Sequence, residues 1–214
     1  KMLPLIYALL GCAAVVLGEE KPKLSLPNPQ LCATRKRHAV LGNHGYFMSF
    51  LEPSTRNLFN DWFNARNYCR ERCMDLISIE DQNENILAKN AIARNNVKYI
   101  WTSGRKCNFP GCERPDLQPA IVNGWFWAGA GTKLNPTDNR SLFHDWSFTG
   151  GNGQPQPDNR EGINDEACLA ILNNYYNDGI HWHDVACYHK KPFICEDSDD
   201  LINYAKRLNP LLRI

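Results

Sequence analysis

The chain has 214 residues, nine cysteines and a formal net charge of +1. This length fits one domain with extensions, and a charge so near zero predicts no attraction to nucleic acid or to an anionic membrane surface. Residues 3–17 form an apolar run before the small residue Gly18, which predicts a signal peptide over residues 1–18. A membrane anchor is the alternative, but this run is shorter than the roughly twenty residues that a span requires.

Cleavage after Gly18 would remove Cys12 and leave eight cysteines. An even number of cysteines behind a signal peptide predicts disulfides and an oxidising, extracellular location. Residues 19–44 follow as a predicted extended N-terminal segment, because three prolines interrupt its first part and no periodicity is present.

Two helices are predicted after an aromatic first strand over residues 45–50. Asp61 is placed to cap the first helix, and the second covers residues 82–95. Their inward faces, taken from three- and four-residue spacing, are Trp62, Ala65, Tyr68 and Cys69 in the first and Ile86, Leu87 and Ile92 in the second.

Short apolar strands between loops rich in Gly, Asn and Pro are predicted beyond the helices. They cover residues 99–102, 125–128, 167–172, 181–186 and 192–195. Residues 131–165 contain little regular pattern, and so long an irregular loop inside a compact domain favours a function. The tail over residues 197–214 is expected to contain a short helix.

Side-chain oxygens are concentrated at the end of this loop and just beyond it. Calcium prefers six to eight oxygen ligands in a flexible cage, and four residues could supply several of them: Gln156, Asp158, Glu166 and Asp184. A simple turn over residues 156–159 is the alternative, since Pro, Asp and Asn are common turn residues.

Several motifs appear in an order that resembles the C-type lectin-like domain family, and in particular its secreted arthropod members. They are Ile-Trp-Thr-Ser-Gly at 100–104, Trp-Phe-Trp at 125–127, Gln-Pro-Asp at 156–158, Glu-Ala-Cys at 166–168 and Trp-His-Asp-Val-Ala-Cys at 182–187. The resemblance covers residues 45–196. It implies an α+β fold, in which two helices flank small antiparallel sheets and a long loop region contains the ligand site.

The resemblance also implies two disulfides, Cys69–Cys195 and Cys168–Cys187. Four cysteines of the mature chain then remain. The pairing of these four stays open, since eight cysteines allow 105 pairings; Cys107 and Cys112 can close over a Pro-Gly turn, which would leave Cys32 to pair with Cys73.

The same resemblance implies one calcium ion held by Gln156, Asp158, Glu166 and Asp184. The ligand oxygens would also bind sugar hydroxyls, and the Gln-Pro-Asp order implies a galactose-type glycan. His183 stands where the family has asparagine, within the sugar-binding set. Its nitrogen suits calcium poorly, so weaker calcium binding is expected.

A secreted, non-enzymatic, calcium-dependent lectin is therefore predicted, and weak single-site sugar binding makes an oligomer plausible. The alternative is an extracellular interaction module of matrix, cuticle or cell surface without a working site. A zinc enzyme built on His181 and His183 is a weaker alternative, because a third ligand, His144 or His189, would have to lie nearby. Asn139-Arg140-Ser141 is a predicted N-glycosylation site.

Overall fold

The structure is a computed structural model, and it describes residues 23–211 and residue 213. The signal peptide predicted over residues 1–18 lies outside the described residues. In the part that is described, none of the helices has the length and apolar character needed to cross a membrane.

The described residues form five α-helices, and the two that were predicted within the domain are the second and third. Asp61 caps the second helix by accepting a hydrogen bond from the backbone N–H of Asn64, as the sequence indicated. A capping box of Asp81 and Glu84 begins the third. The helices are α1 (Pro29–Ala33), α2 (Trp62–Arg70), α3 (Gln82–Arg94), α4 (Ala120–Asn123) and α5 (Asp199–Leu208).

Nine strands form two antiparallel sheets, so the α+β fold class is confirmed. A four-stranded sheet has the order β1-β2-β9-β3, and a five-stranded sheet has the order β6-β5-β4-β7-β8. The strands are β1 (Ala39–Leu41), β2 (His44–Met48), β3 (Met74–Leu76), β4 (Tyr99–Lys106), β5 (Trp125–Trp127), β6 (Thr132–Lys133), β7 (Cys168–Asn173), β8 (Ile180–Val185) and β9 (Ile194–Asp197).

Two clusters of buried side chains hold the helices and sheets together. One cluster includes Ile92 of α3 and Trp182 of β8, and the other includes Trp62 of α2 and Trp101 of β4. Both indoles of the second cluster donate to backbone carbonyls: Trp62 Nε1 lies 2.8 Å from the oxygen of Thr102, and Trp101 Nε1 contacts Asn60. Large aromatic side chains can be buried here because their polar atoms have partners.

The inward face predicted for α3 was partly wrong. Ile86 is 45% exposed, whereas Asn85 is buried. Asn85 faces inward because Trp182 Nε1 donates to its Oδ1 at 3.0 Å, while its Nδ2 donates to Asp145 at 2.8 Å. A polar residue at a core-facing position is compatible with burial when its hydrogen bonds are made, and hydrophobic periodicity does not reveal those bonds.

The segment over residues 19–44 was expected to be extended, but its described part is not extended throughout. It contains α1 and β1, and β1 pairs with β2. Cys32 of α1 is bonded to Cys73, and this bridge packs against Leu201 and Ile202 of α5. The helix expected in the tail is present as α5. The segments before and after the predicted domain therefore pack against each other at this bridge.

Four disulfides connect the cysteines of the described residues, in the same four pairs that the sequence analysis gave. They are Cys32–Cys73, Cys69–Cys195, Cys107–Cys112 and Cys168–Cys187. The second joins α2 to β9 across 126 residues of sequence, so the chain-entropy model assigns it the largest stabilisation, about 4–5 kcal/mol.

Candidate functional site

The long loop over residues 131–165 leads into β7. The first residues of β7 pair with the last residues of β8, so the end of the loop lies beside the end of β8. In this strand pair Leu169 lies opposite Asp184, and Cys168 lies opposite Val185. A disulfide joins Cys168, the first residue of β7, to Cys187, two residues after the end of β8. This register brings Glu166, two residues before β7, close to Asp184 near the end of β8.

Three of the predicted calcium ligands come together at this point. A carboxylate oxygen from each of Asp158, Glu166 and Asp184 lies within 4.8 Å of the others. Glu166 and Asp184 are both buried, and Asp158 is half-buried. Like charges at this spacing repel each other strongly when they are shielded from water, so the arrangement is suited to a cation.

Hydrogen bonds between the loop and the strand hold these carboxylates in position. The carboxylate of Asp184 accepts the backbone N–H of Asp158 at 3.1 Å and of Asn159 at 2.7 Å. The side-chain oxygen of Asn159 in turn accepts the backbone N–H of Glu166 at 2.8 Å. The loop conformation is thus coupled to the same residues that form the oxygen cluster.

Two oxygens of the cluster have no hydrogen-bond partner. Asp158 Oδ2 and Glu166 Oε2 are enclosed atoms without a donor among the described residues. A buried carboxylate oxygen without a partner is costly, and a bound calcium ion would remove that cost. The residues present therefore fit the predicted metal.

The electrostatics of the cluster agree with its geometry. Burial, together with the neighbouring charge of Asp184, raises the pKa of Glu166 to about 7. Burial also raises the pKa of Asp184 to about 6, although its two backbone hydrogen bonds act in the opposite direction. Both shifts show that the negative charges are poorly compensated by the protein alone.

Gln156, the fourth predicted ligand, lines the same cavity as the three carboxylates. Its side chain is buried, and its backbone N–H donates to the carbonyl of Ser147 at 2.8 Å. The Gln156–Pro157 peptide bond is cis. The structure therefore brings all four predicted ligands to one cavity of about 260 Å³.

His183 also lines this cavity, but its imidazole contacts Asp178, a residue that the sequence analysis did not identify. His183 Nε2 lies 2.9 Å from Asp178 Oδ2, and both side chains are almost fully buried. The two atoms are close, but they do not form a well-aligned hydrogen bond. Burial lowers the pKa of His183, with the charge of Asp178 opposing that effect. His183 is outside the group of converging oxygens.

Asp178 lies in the turn between β7 and β8, where the Asn177-Asp178-Gly179 sequence is a turn signal. Nothing in that local pattern indicates a partner on β8.

The histidine-based zinc site is not formed in the described part of the chain. His181 contacts Asp145 at 2.9 Å, and His183 contacts Asp178. Within the described residues, the one group of three or more potential metal ligands consists of the carboxylates described above. The two imidazoles each have an acidic neighbour of their own, which explains why alternation on a strand does not by itself produce a metal site.

Aromatic and basic side chains surround the oxygen cluster. Tyr176 lies with its ring 5.6 Å from that of His183, and its hydroxyl accepts a hydrogen bond from Arg160 at 3.1 Å. Lys191 forms another part of the cavity wall. Neither Arg160 nor Lys191 was identified from the sequence as a residue of this site.

An α+β domain with a long irregular loop, a disulfide just after that loop and calcium-type oxygens at its end has the architecture of a C-type lectin-like domain. Residues 60–197 match the family described as Lectin C-type domain, so the chain belongs to that family. Its members are non-enzymatic carbohydrate-binding or structural proteins, and the expectation that this chain is not an enzyme is confirmed on that basis.

Selectins are among the curated relatives. The chain is 24% identical to L-selectin of Rattus norvegicus over 156 residues, which are 73% of this chain and 34% of that protein. It is 27% identical to E-selectin of Equus caballus over 142 residues, 66% of this chain and 18% of that protein. The chain thus spans about a third or less of the length of these relatives.

Solved structures share the fold at low sequence identity. The mouse scavenger receptor C-type lectin carbohydrate-recognition domain has a TM-score of 0.50 and 19% identity, covering 75% of this chain and 94% of that chain. The SPL-1–GlcNAc complex has a TM-score of 0.50 and 17% identity, covering 78% of this chain and 98% of that chain. The Ca²⁺-independent C-type lectin SPL-2 from Saxidomus purpuratus has a TM-score of 0.50 and 20% identity, covering 75% of this chain and 90% of that chain.

Proposed function

We propose that the protein is a secreted lectin that binds glycans through one calcium ion. The observation that supports this most strongly is the convergence of Asp158, Glu166 and Asp184, with enclosed oxygens of the first two left without a donor. The family membership makes glycan binding the expected use of such a site. The four disulfides support an extracellular location, since they persist in oxidising compartments.

In this proposal the side-chain oxygens of Gln156, Asp158, Glu166 and Asp184 hold the ion. Calcium would neutralise the repulsion between the carboxylates and would leave coordination positions for sugar hydroxyls. The same side chains can then hydrogen-bond those hydroxyls, with carboxylates as acceptors and the amide of Gln156 as donor. Sugar binding should therefore depend on the metal.

The glycan preference that we propose is galactose-type, because of the Gln156-Pro157-Asp158 order. No aromatic residue follows this motif directly to stack on the apolar face of the sugar. Tyr176 is the aromatic side chain that the fold brings to the cavity instead, from the turn between β7 and β8. An aromatic face can provide apolar contact from another loop as well as from the motif itself.

Calcium titration of the purified protein by calorimetry tests the proposal. We expect one binding site in the wild type and no detectable binding in Glu166→Gln, which removes a charge but keeps the shape. Asp138→Asn is the matched control, because Asp138 is exposed within the same long loop. Galactose should then bind only in the presence of calcium. Absence of calcium binding in the wild type would reject the proposal.

The second candidate function is an extracellular interaction module without a calcium-dependent sugar site. His183 favours it, because an imidazole has no oxygen to offer calcium and its Nε2 contacts Asp178 instead. SPL-2, which shares the fold, is described as Ca²⁺-independent, so the fold alone does not require the metal. A glycan array probed with and without calcium separates the two functions. Blank arrays under both conditions would favour the interaction module.

A further inference from the structure

Lys191 is a buried lysine in the wall of the same cavity. It lies between β8 and β9 and is only 8% exposed. Its backbone N–H and carbonyl are both bonded to Asn60, at 2.9 and 3.1 Å, so its position is well defined. Its Nζ lies 4.3 Å from the ring centre of Tyr99 and 5.1 Å from that of Trp101. The two aromatic faces favour a cation at this point.

The ammonium group of Lys191 has no anionic partner. Among the described residues it forms neither an ion pair nor a hydrogen bond, although it is not one of the fully enclosed polar atoms. Burial lowers the pKa of Lys191 to about 8, which still leaves it mostly charged at neutral pH. A buried charge usually has a partner. This one instead faces a cavity that a ligand can enter.

Glu161 is the nearby acidic residue that could have neutralised Lys191, but it has other partners. Its Oε1 lies 2.6 Å from His189 Nε2, and its Oε2 accepts a hydrogen bond from the hydroxyl of Tyr188 at 2.8 Å. These contacts hold Glu161 at the cavity rim and away from the ammonium. The position beside Lys191 Nζ therefore remains available to an anionic group of a ligand.

The charges that line the cavity also favour an anionic ligand. Four carboxylates line it: Asp158, Glu161, Glu166 and Asp184. The basic side chains in its wall are Arg160, Lys190 and Lys191. With a divalent ion bound, five positive charges would face four negative ones, and a positively charged cleft attracts anionic ligands.

We propose that Lys191 forms an anion subsite next to the calcium position and that the glycan bound here is acidic, with a sulfate ester or a carboxylate. This inference rests on the proposed function, because it places sugar hydroxyls at the calcium ion and the anionic group of the same glycan at Lys191. The cavity of about 260 Å³ has room for one substituted sugar ring. The subsite would determine specificity without taking part in calcium binding.

The test compares neutral and acidic sugars on the calcium-loaded protein by calorimetric titration. The probes are galactose, galactose 6-sulfate and galacturonic acid, so that the two sources of negative charge are separated. The variants are Lys191→Met, which keeps the apolar stem on Tyr99, and Lys191→Arg, which keeps the charge. Lys98→Met is the matched control, because Lys98 is exposed and does not line the cavity.

We expect at least one acidic sugar to bind about tenfold more tightly than galactose, as a charge-assisted hydrogen bond would provide. Lys191→Met should remove that advantage and leave galactose binding unchanged, whereas Lys191→Arg and Lys98→Met should keep most of it. Thermal unfolding of each variant checks that the fold is intact.

Equal binding of neutral and acidic sugars, or an advantage that persists in Lys191→Met, would overturn the subsite and leave the proposed function standing. Failure of all three sugars to bind would overturn both. The two failures are thus distinguishable in a single set of titrations.

Discussion

Replacing Glu166 with glutamine should stabilise the calcium-free protein while it abolishes calcium binding. Glu166 is buried beside the charges of Asp184 and Asp158, which together with burial raise its pKa from 4.5 to about 7. The change removes one of three mutually repelling charges. The new amide can donate a hydrogen bond to either neighbouring carboxylate, so the variant need not leave an unpaired polar group.

The magnitude and the pH window follow from the raised pKa of Glu166. A folded-state pKa above the unfolded value means that ionisation costs stability. The cost is absent below about pH 4.5 and fully developed above about pH 7. Each pKa unit corresponds to about 1.4 kcal/mol, so the upper limit is about 3 kcal/mol. Because Glu166 and Asp184 titrate together, we expect a gain of about 1–3 kcal/mol at pH 8.

Thermal unfolding in a chelator is the assay. For a domain of this size, the expected gain corresponds to a rise in Tm of about 3–9 °C at pH 8, and the difference should nearly vanish at pH 4.5. With calcium at a hundredfold excess over Kd, the wild type should gain about 2.7 kcal/mol, and Glu166→Gln should gain nothing.

Asp138→Asn serves as the control and should behave as the wild type in both buffers. A calcium-free Glu166→Gln protein that is no more stable than the wild type at pH 8 would refute the reasoning. It would mean that the carboxylates do not repel each other as their geometry indicates.

Three further predictions concern the same loop region. His183→Asn should lower stability by about 1–2 kcal/mol, because it removes the imidazole that contacts the buried carboxylate of Asp178, which keeps the hydroxyl of Ser147 as a donor; chemical denaturation measures this, and an unchanged unfolding midpoint would contradict it. Exchanging the motif to Gln156→Glu with Asp158→Asn should move sugar preference from galactose toward mannose on a glycan array, whereas an unchanged pattern would exclude these two residues from sugar recognition. Asn139 is exposed and its side-chain oxygen accepts a hydrogen bond from Ser141 Oγ at 2.7 Å, so glycosidase treatment of the secreted protein should lower its mass, and Asn139→Gln should abolish the difference.

Local patterns were sufficient for much of the fold. The cap at Asp61 and the spacing of apolar residues predicted α2, because both depend on contacts within one turn of chain. The ordered motifs indicated the family, and with it the two long-range disulfides. The oxygen ligands Asp158, Glu166 and Asp184 could be named because their residue types and their spacing to cysteines are visible in sequence.

The tertiary structure decided which side chains face one another. Asn85, and not Ile86, lies on the inner face of α3, because the indole of Trp182 donates a hydrogen bond to the side chain of Asn85 from 97 residues away in sequence. The contact of His183 with Asp178 follows from the turn that joins β7 to β8.

Lys191 shows the same limit of sequence reasoning. As one of two adjacent lysines it looks like an ordinary surface residue, yet it is enclosed by the aromatic rings of Tyr99 and Trp101. Residue type and spacing therefore determined the elements and the ligand oxygens, which depend on neighbours along the chain. Burial, charge pairing and access to the cavity depend on neighbours that only the packed fold brings together.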